Sequence, residues 1–175
     1  MIPNDFNIII DQDKIRSRVR EIADSLRPAL VGKPVTFVGI LDGALFFLTD
    51  LIRAIDLDVQ IDFLRVSSYR GGTSSGELKL VDGLTWNLHG RNVVLVDDIL
   101  DTGKTLAFCI EHLLSLGAAR VQPVVLLAKN RGYAYQIEEP LIGFTIPDRF
   151  VIGYGLDWEG RFRHLPDIYA KENHT

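Results

Sequence analysis

The chain has 175 residues, a formal net charge of -4 and 47% apolar residues. That length suits a single domain with a sizeable core, and the apolar share excludes a disordered chain. The acidic balance argues against nonspecific binding to nucleic acid or to an anionic membrane, and a lone cysteine, Cys109, excludes an internal disulfide. Residues 1–7 have neither the basic stretch nor the apolar run of a secretory leader, and the densest apolar stretches are about ten residues, short of a membrane-spanning helix. The expectation is a cytoplasmic protein with no nucleic-acid or membrane partner.

In chain order, residues 6–10 read as a short strand or arm. Asp11 or Asp13 is placed to cap a helix whose apolar positions are Ile15, Val19, Ile22, Ala23 and Leu26, and Pro28 should stop it. Residues 35–41 are a buried strand, Asp42 and Gly43 a tight turn, and 44–55 an apolar helix. Residues 59–66 alternate imperfectly as a strand. Residues 67–77 carry four serines and three glycines, the composition of a mobile loop or a hairpin tip. Strands are expected at 78–81, 92–96, 120–127, 142–144 and 151–154. A helix is expected over 105–116, ended by Gly117. Apolar strands alternating with helices predict an α/β fold with a mostly parallel sheet covered on both faces. Ligands of such sheets bind beyond the carboxyl ends of the strands. Leu41–Asp42–Gly43, Asp97–Asp98 and Lys129 all follow apolar strands and are expected to converge there.

The most telling run is 93–105, an apolar strand followed by Asp97, Asp98, Asp101 and then Thr102–Gly103–Lys104–Thr105. Backbone N–H groups of a tight turn and first helical turn attract anions, Gly103 allows close approach, and the threonines add hydroxyls. A monophosphate fits residues 102–105. The turn is no Walker A loop, because Asp98 stands where that loop requires glycine. Paired carboxylates suit ribose hydroxyls and a hydrated magnesium ion. Asp101 can accept a proton or cap the helix. The four histidines show no metal-ligand spacing. Cys109 reads as buried, and Arg16 and Arg20 as solvated or facing another subunit.

The chain resembles purine phosphoribosyltransferases of the hypoxanthine-guanine type. Residues 93–106 look like the family's phosphoribosyl diphosphate motif, and 150–157, Phe-Val-Ile-Gly-Tyr-Gly-Leu-Asp, like its purine-recognition segment. The resemblance keeps the family's order over nearly the whole chain. It implies a type I phosphoribosyltransferase fold, a mostly parallel central sheet flanked by helices with a small hood and a mobile lid. Residues 1–175 would be one domain, with the lid near 67–80 and the hood near 142–168 plus the N-terminal arm. It implies transfer of a 5-phosphoribosyl group to hypoxanthine or guanine with release of pyrophosphate. Asp97 and Asp98 would hold ribose and Mg2+. Asp101 would be the base near purine N7, and 101–105 would cradle the 5'-phosphate. Leu41, Asp42, Gly43 and Arg163 would meet pyrophosphate. Lys129, Phe150, Val151 and Asp157 would hold the purine, with Asp157 also near a second Mg2+. Ser68 and Tyr69 would close over the reacting groups. Trp158 would stack near the base or seal the C-terminal segment. The partners implied are phosphoribosyl diphosphate and 6-oxopurines, in a homodimer or homotetramer.

Two stretches depart from the family pattern. Relatives usually carry lysine where this chain has Asp42, whose charge would repel pyrophosphate unless it points away. Asn130–Arg131–Gly132–Tyr133 replaces a proline- and arginine-rich continuation. The rival readings are a xanthine-preferring enzyme, an RNA-binding regulator of the same fold and an inactive homologue. The acidic charge weighs against the RNA regulator, and the intact acidic run weighs against the inactive homologue.

Overall fold

The computed structural model describes residues 2–68 and 78–172. Among them the main sheet has six strands: β2 (Val35–Leu41), β3 (Gln60–Ser68), β4 (Leu78–Asp82), β5 (Asn92–Leu100), β6 (Arg120–Lys129) and β7 (Leu141–Ile146). Their spatial order is β4-β3-β2-β5-β6-β7. All neighbouring pairs are parallel except the β3–β4 edge pair. A second, antiparallel sheet of order β1-β9-β8 is formed by β1 (Phe6–Ile10), β8 (Val151–Ile152) and β9 (Ile168–Lys171).

The central strands are apolar on both faces because both faces are covered. Phe37, Val94, Val96, Val124 and Leu126 pack with α1 (Gln12–Leu30) and α2 (Leu45–Ile55). The intervening Val38, Ile40, Val93, Leu95 and Val125 pack with Leu106, Cys109 and Leu113 of α3 (Lys104–Ser115). Burying each large apolar side chain contributes about 1.5–3 kcal/mol, so the two faces together fix which strand ends lie side by side.

Several boundaries differ from the sequence reading. Asp11 does cap α1, accepting from Lys14 N at 2.9 Å, but the helix runs through Pro28 to Leu30. Proline there removes one N–H a turn from the end, while Leu30 is buried against the core. In β3 it is Asp62 and Leu64 that are buried, while Ile61, Phe63 and Arg65 are exposed. Asp62 can be buried because its carboxylate accepts from the backbone N–H groups of Phe63, Thr85 and Trp86. The 78–82 strand pairs antiparallel with the end of β3, as the two legs of a hairpin do. Residues 69–77 of the expected lid, Tyr69 among them, lie outside the described residues.

Candidate functional site

The carboxyl ends of β2, β5 and β6 are parallel neighbours, so the turn after each opens on the same edge of the sheet. β5 is longer than expected: Asp97 and Ile99 remain paired with Val125 and Leu127 of β6, and Leu100 with Ala128. Asp97 and Asp98 therefore lie within the strand, and both line the cleft at its end. Lys129 is likewise the last residue of β6 rather than a residue beyond it.

An open cleft of about 360 Å³ is lined by Leu41, Gly43, Asp97, Asp98 and every residue from Asp101 to Thr105. A hollow of about 220 Å³ is lined by Asp98, Asp101, Lys129, Phe150, Val151 and Asp157. Asp98 and Asp101 line both. The structure thus brings together the expected phosphate, ribose and purine residues, with Asp42 and Arg163 at the margin.

Asp97 is buried, and its Oδ1 accepts from Asp98 N at 3.0 Å. Burial pushes the Asp97 carboxyl well above the usual range, and the neighbouring Asp98 charge adds to this. Burial also raises Asp98, against the opposing pull of hydrogen bonds and the Arg163 charge. Such a pair is short of positive charge. Among the described residues no three His, Cys, Asp or Glu side chains form a metal cage. Two adjacent carboxylates with room for water and substrate oxygens suit Mg2+. Asp157 is already engaged: Arg163 Nη2 lies 2.8 Å from its Oδ1, and Gly160 N donates to its Oδ2 at 2.7 Å.

In the phosphate turn, the alternative that Asp101 caps the helix is not the one the structure shows. Gly103, not Asp101, occupies the cap position of α3, with φ 83°. That left-handed conformation favours glycine. A Cβ on Gly103 would also lie 2.7 Å from the Tyr135 carbonyl oxygen. Glycine here thus serves chain packing as well as an open turn. Lys104 N points to Thr102 Oγ1 at 3.3 Å.

Freed from capping, Asp101 joins a four-charge array that spacing did not reveal. Lys129 Nζ lies 3.4 Å from Asp101 Oδ2 and 3.0 Å from Asp148 Oδ1. Arg131 contacts the Asp101 carboxylate through Nη2 and lies 2.9 Å from Asp148 Oδ2 through Nη1. Each acid thus bridges both bases. Hydrogen bonds from Lys129 and Arg131 hold the Asp148 carboxyl below the usual range. Asp101 Oδ1 is shut off from solvent and is met there by the Arg131 guanidinium. Asp148 was not singled out from sequence, and Arg131 was noted only as a departure. That departure after Lys129 was the one available signal.

Phe150 is 47% exposed and faces the hollow, so it is not a core residue. Its ring meets Phe6 and Trp158 edge-on, each at 6.2 Å between centroids. Trp158 stacks on Phe6 at 5.7 Å, which seals the C-terminal segment onto β1. Val151 is buried in β8. Arg163 Nη1 donates to Gly155 O at 2.5 Å. Residue 155 packs so tightly on the Gly43 carbonyl that a Cβ there would collide with it, and a Cβ on Gly43 would collide with the Asp98 carboxylate. Arg163, the 41–43 turn and Asp98 are therefore one packed unit. The Leu41–Asp42 peptide is cis.

Comparison with known proteins agrees with this geometry. A family model described as "Phosphoribosyl transferase domain" matches residues 7–159. The hypoxanthine-guanine phosphoribosyltransferase of Lactococcus lactis is 41% identical over 162 residues, covering 92% of this chain and 88% of that protein. The bifunctional protein TilS/HprT of Listeria innocua is 40% identical over 162 residues; this chain spans 25% of its length. A crystal structure of a hypoxanthine phosphoribosyltransferase from Staphylococcus aureus superposes with a TM-score of 0.90 at 37% identity, covering 97% of this chain and 93% of that one.

Proposed function

The chain belongs to the phosphoribosyl transferase domain family, and from that premise we propose that it transfers the 5-phosphoribosyl group of 5-phospho-α-D-ribose 1-diphosphate to hypoxanthine or guanine. The products are IMP or GMP and pyrophosphate. The observation that carries this reading is the pairing of Asp101 with Lys129 at 3.4 Å in a hollow shared with Phe150, next to a phosphate turn and a carboxylate pair.

In this reading the main-chain N–H groups at 102–105 hold the 5'-phosphate at the start of α3. Asp97 and Asp98 hold the ribose hydroxyls and the magnesium ion, and Asp157 contributes through water. Magnesium, when bound, supplies positive charge against ribose and the departing pyrophosphate. Phe150 stacks on the purine, and the Val151 backbone meets its position-2 edge. Lys129 donates to the 6-oxo oxygen, which rejects adenine, whose amine is itself a donor. The purine attacks ribose carbon 1, the bond to pyrophosphate breaks, and Asp101 takes the proton from the purine. Arg163 and the 41–43 backbone offset charge on the leaving group. Asp148 and Arg131 keep Lys129 and Asp101 in register. Ser68 and Tyr69 serve to exclude water that would compete for carbon 1. The small sheet and N-terminal arm form the hood. The enzyme is assigned to the cytoplasm as a homodimer or homotetramer; no described helix is long and apolar enough to cross a membrane.

The test is product formation by the purified full chain with phosphoribosyl diphosphate, MgCl2 and hypoxanthine or guanine. Nucleotide and pyrophosphate appearing in equal amounts support the reading; folded protein that yields neither rejects it.

A further inference from the structure

The pyrophosphate end of the cleft is rich in acid. Asp97 and Asp98 line it, Asp157 lies beside it, and the Arg163 guanidinium that faces the leaving group is shared with Asp157 at 2.8 Å. Asp42 adds a further carboxylate within the very turn whose neighbours, Leu41 and Gly43, line the cleft. A bare carboxylate there would oppose a diphosphate.

Asp42 is not bare. Arg65 Nη2 lies 2.6 Å from its Oδ1. The sheet builds this contact: Leu41 and Arg65 are register partners on parallel β2 and β3. Leu64 is buried, so Arg65 projects to the opposite face of β3, beside the turn that follows Leu41. Both side chains are 51% exposed. An ion pair so exposed does little for folding, which leaves its effect on the local field as its consequence.

We propose, on the reading above, that Arg65 is a positioning residue for the diphosphate: paired with Asp42, it masks that carboxylate so that the backbone of the 41–43 turn meets pyrophosphate without an opposing charge. Arg65 acts through Asp42, not by touching phosphate. The acid in the turn is thus tolerated only because β3 brings a cation to it.

The test is calorimetric titration of the full chain with magnesium pyrophosphate, alongside KM for both substrates. Arg65→Gln should weaken pyrophosphate binding and raise KM for phosphoribosyl diphosphate about tenfold, by leaving one unit of negative charge uncovered. KM for hypoxanthine should stay within about twofold, since the purine hollow is not involved. Asp42→Asn in the Arg65→Gln background should restore binding to within about threefold of the parent. Arg65→Lys, which keeps the charge, should bind like the parent and guards against a variant that fails to fold. Unchanged binding in Arg65→Gln overturns the proposal. So does a double variant as weak as Arg65→Gln alone, because Arg65 would then be acting on phosphate directly or on the fold. If the parent binds pyrophosphate in this pattern but transfers to no purine, the activity falls and the masking stands. If it transfers and the pattern is missing, only the masking falls.

Discussion

Replacing Asp101 by asparagine separates proton transfer from binding, because the surrounding array predicts what each loses. The amide keeps the shape of the side chain. Lys129 loses its 3.4 Å partner but retains Asp148 at 3.0 Å, and Arg131 retains Asp148 at 2.9 Å. The Asp101 side chain is 44% exposed, so the lost charge contacts are worth roughly 0–1 kcal/mol of stability after solvent screening. The phosphate turn is unaffected, because Gly103 rather than Asp101 caps α3. A positioned general base contributes about 10²–10⁴-fold, equivalent to roughly 3–5 kcal/mol of barrier. The barrier term therefore dominates. Asp101→Asn should lower kcat by about two to four orders of magnitude, with KM for phosphoribosyl diphosphate nearly unchanged and the melting temperature within a few degrees of the parent. Steady-state kinetics in both substrates and a thermal melt read all three. A kcat within about threefold of the parent, in folded protein, would refute the assignment of Asp101 as the base.

Asp148→Asn should raise KM for hypoxanthine and loosen discrimination against adenine while leaving KM for phosphoribosyl diphosphate alone, since the nearer partner of Lys129 is lost; equal losses in both KM values would point to general disruption. The Asp148 carboxyl is held low, so its pairs are intact above the ordinary carboxylate range and fail as pH drops through its lowered value. The parent should therefore lose more melting temperature than Asp148→Asn on acidification below about pH 4. Asp97→Asn should raise the melting temperature at neutral pH, because burial disfavours that charge, and should weaken binding of phosphoribosyl diphosphate; a lowered melting temperature with unchanged binding would contradict both parts. Burial pushes the Cys109 thiol up to about 12, so iodoacetamide near pH 8 should label it only after unfolding; labelling at the rate of a free thiol would contradict its burial.

Much of the fold was legible because the buried strands are short uniform apolar runs and the helices between them keep strict spacing, as in β2 and α2. The errors have physical causes. Polar residues normally end a strand, yet Asp97 and Asp98 stay in β5 because the register with β6 continues past them. β9 was missed because its partners are β1 and β8, and four residues carry no local pattern of their own. The acidic run and phosphate turn were legible because their neighbours in space are neighbours in sequence. The Asp101–Lys129–Arg131–Asp148 array and the Asp42–Arg65 pair were not, since each joins side chains from different strand ends. The sheet registers that unite them are set by burial, not by any spacing in the chain.

The most direct measurement is a competition among hypoxanthine, guanine, xanthine, adenine and uracil for phosphoribosyl diphosphate with MgCl2, comparing the parent with Lys129→Ala. The account predicts that the parent converts hypoxanthine and guanine ahead of the other three and that Lys129→Ala loses its preference over adenine. Dominant turnover of xanthine, adenine or uracil by the parent, or an undiminished preference in Lys129→Ala, would contradict it.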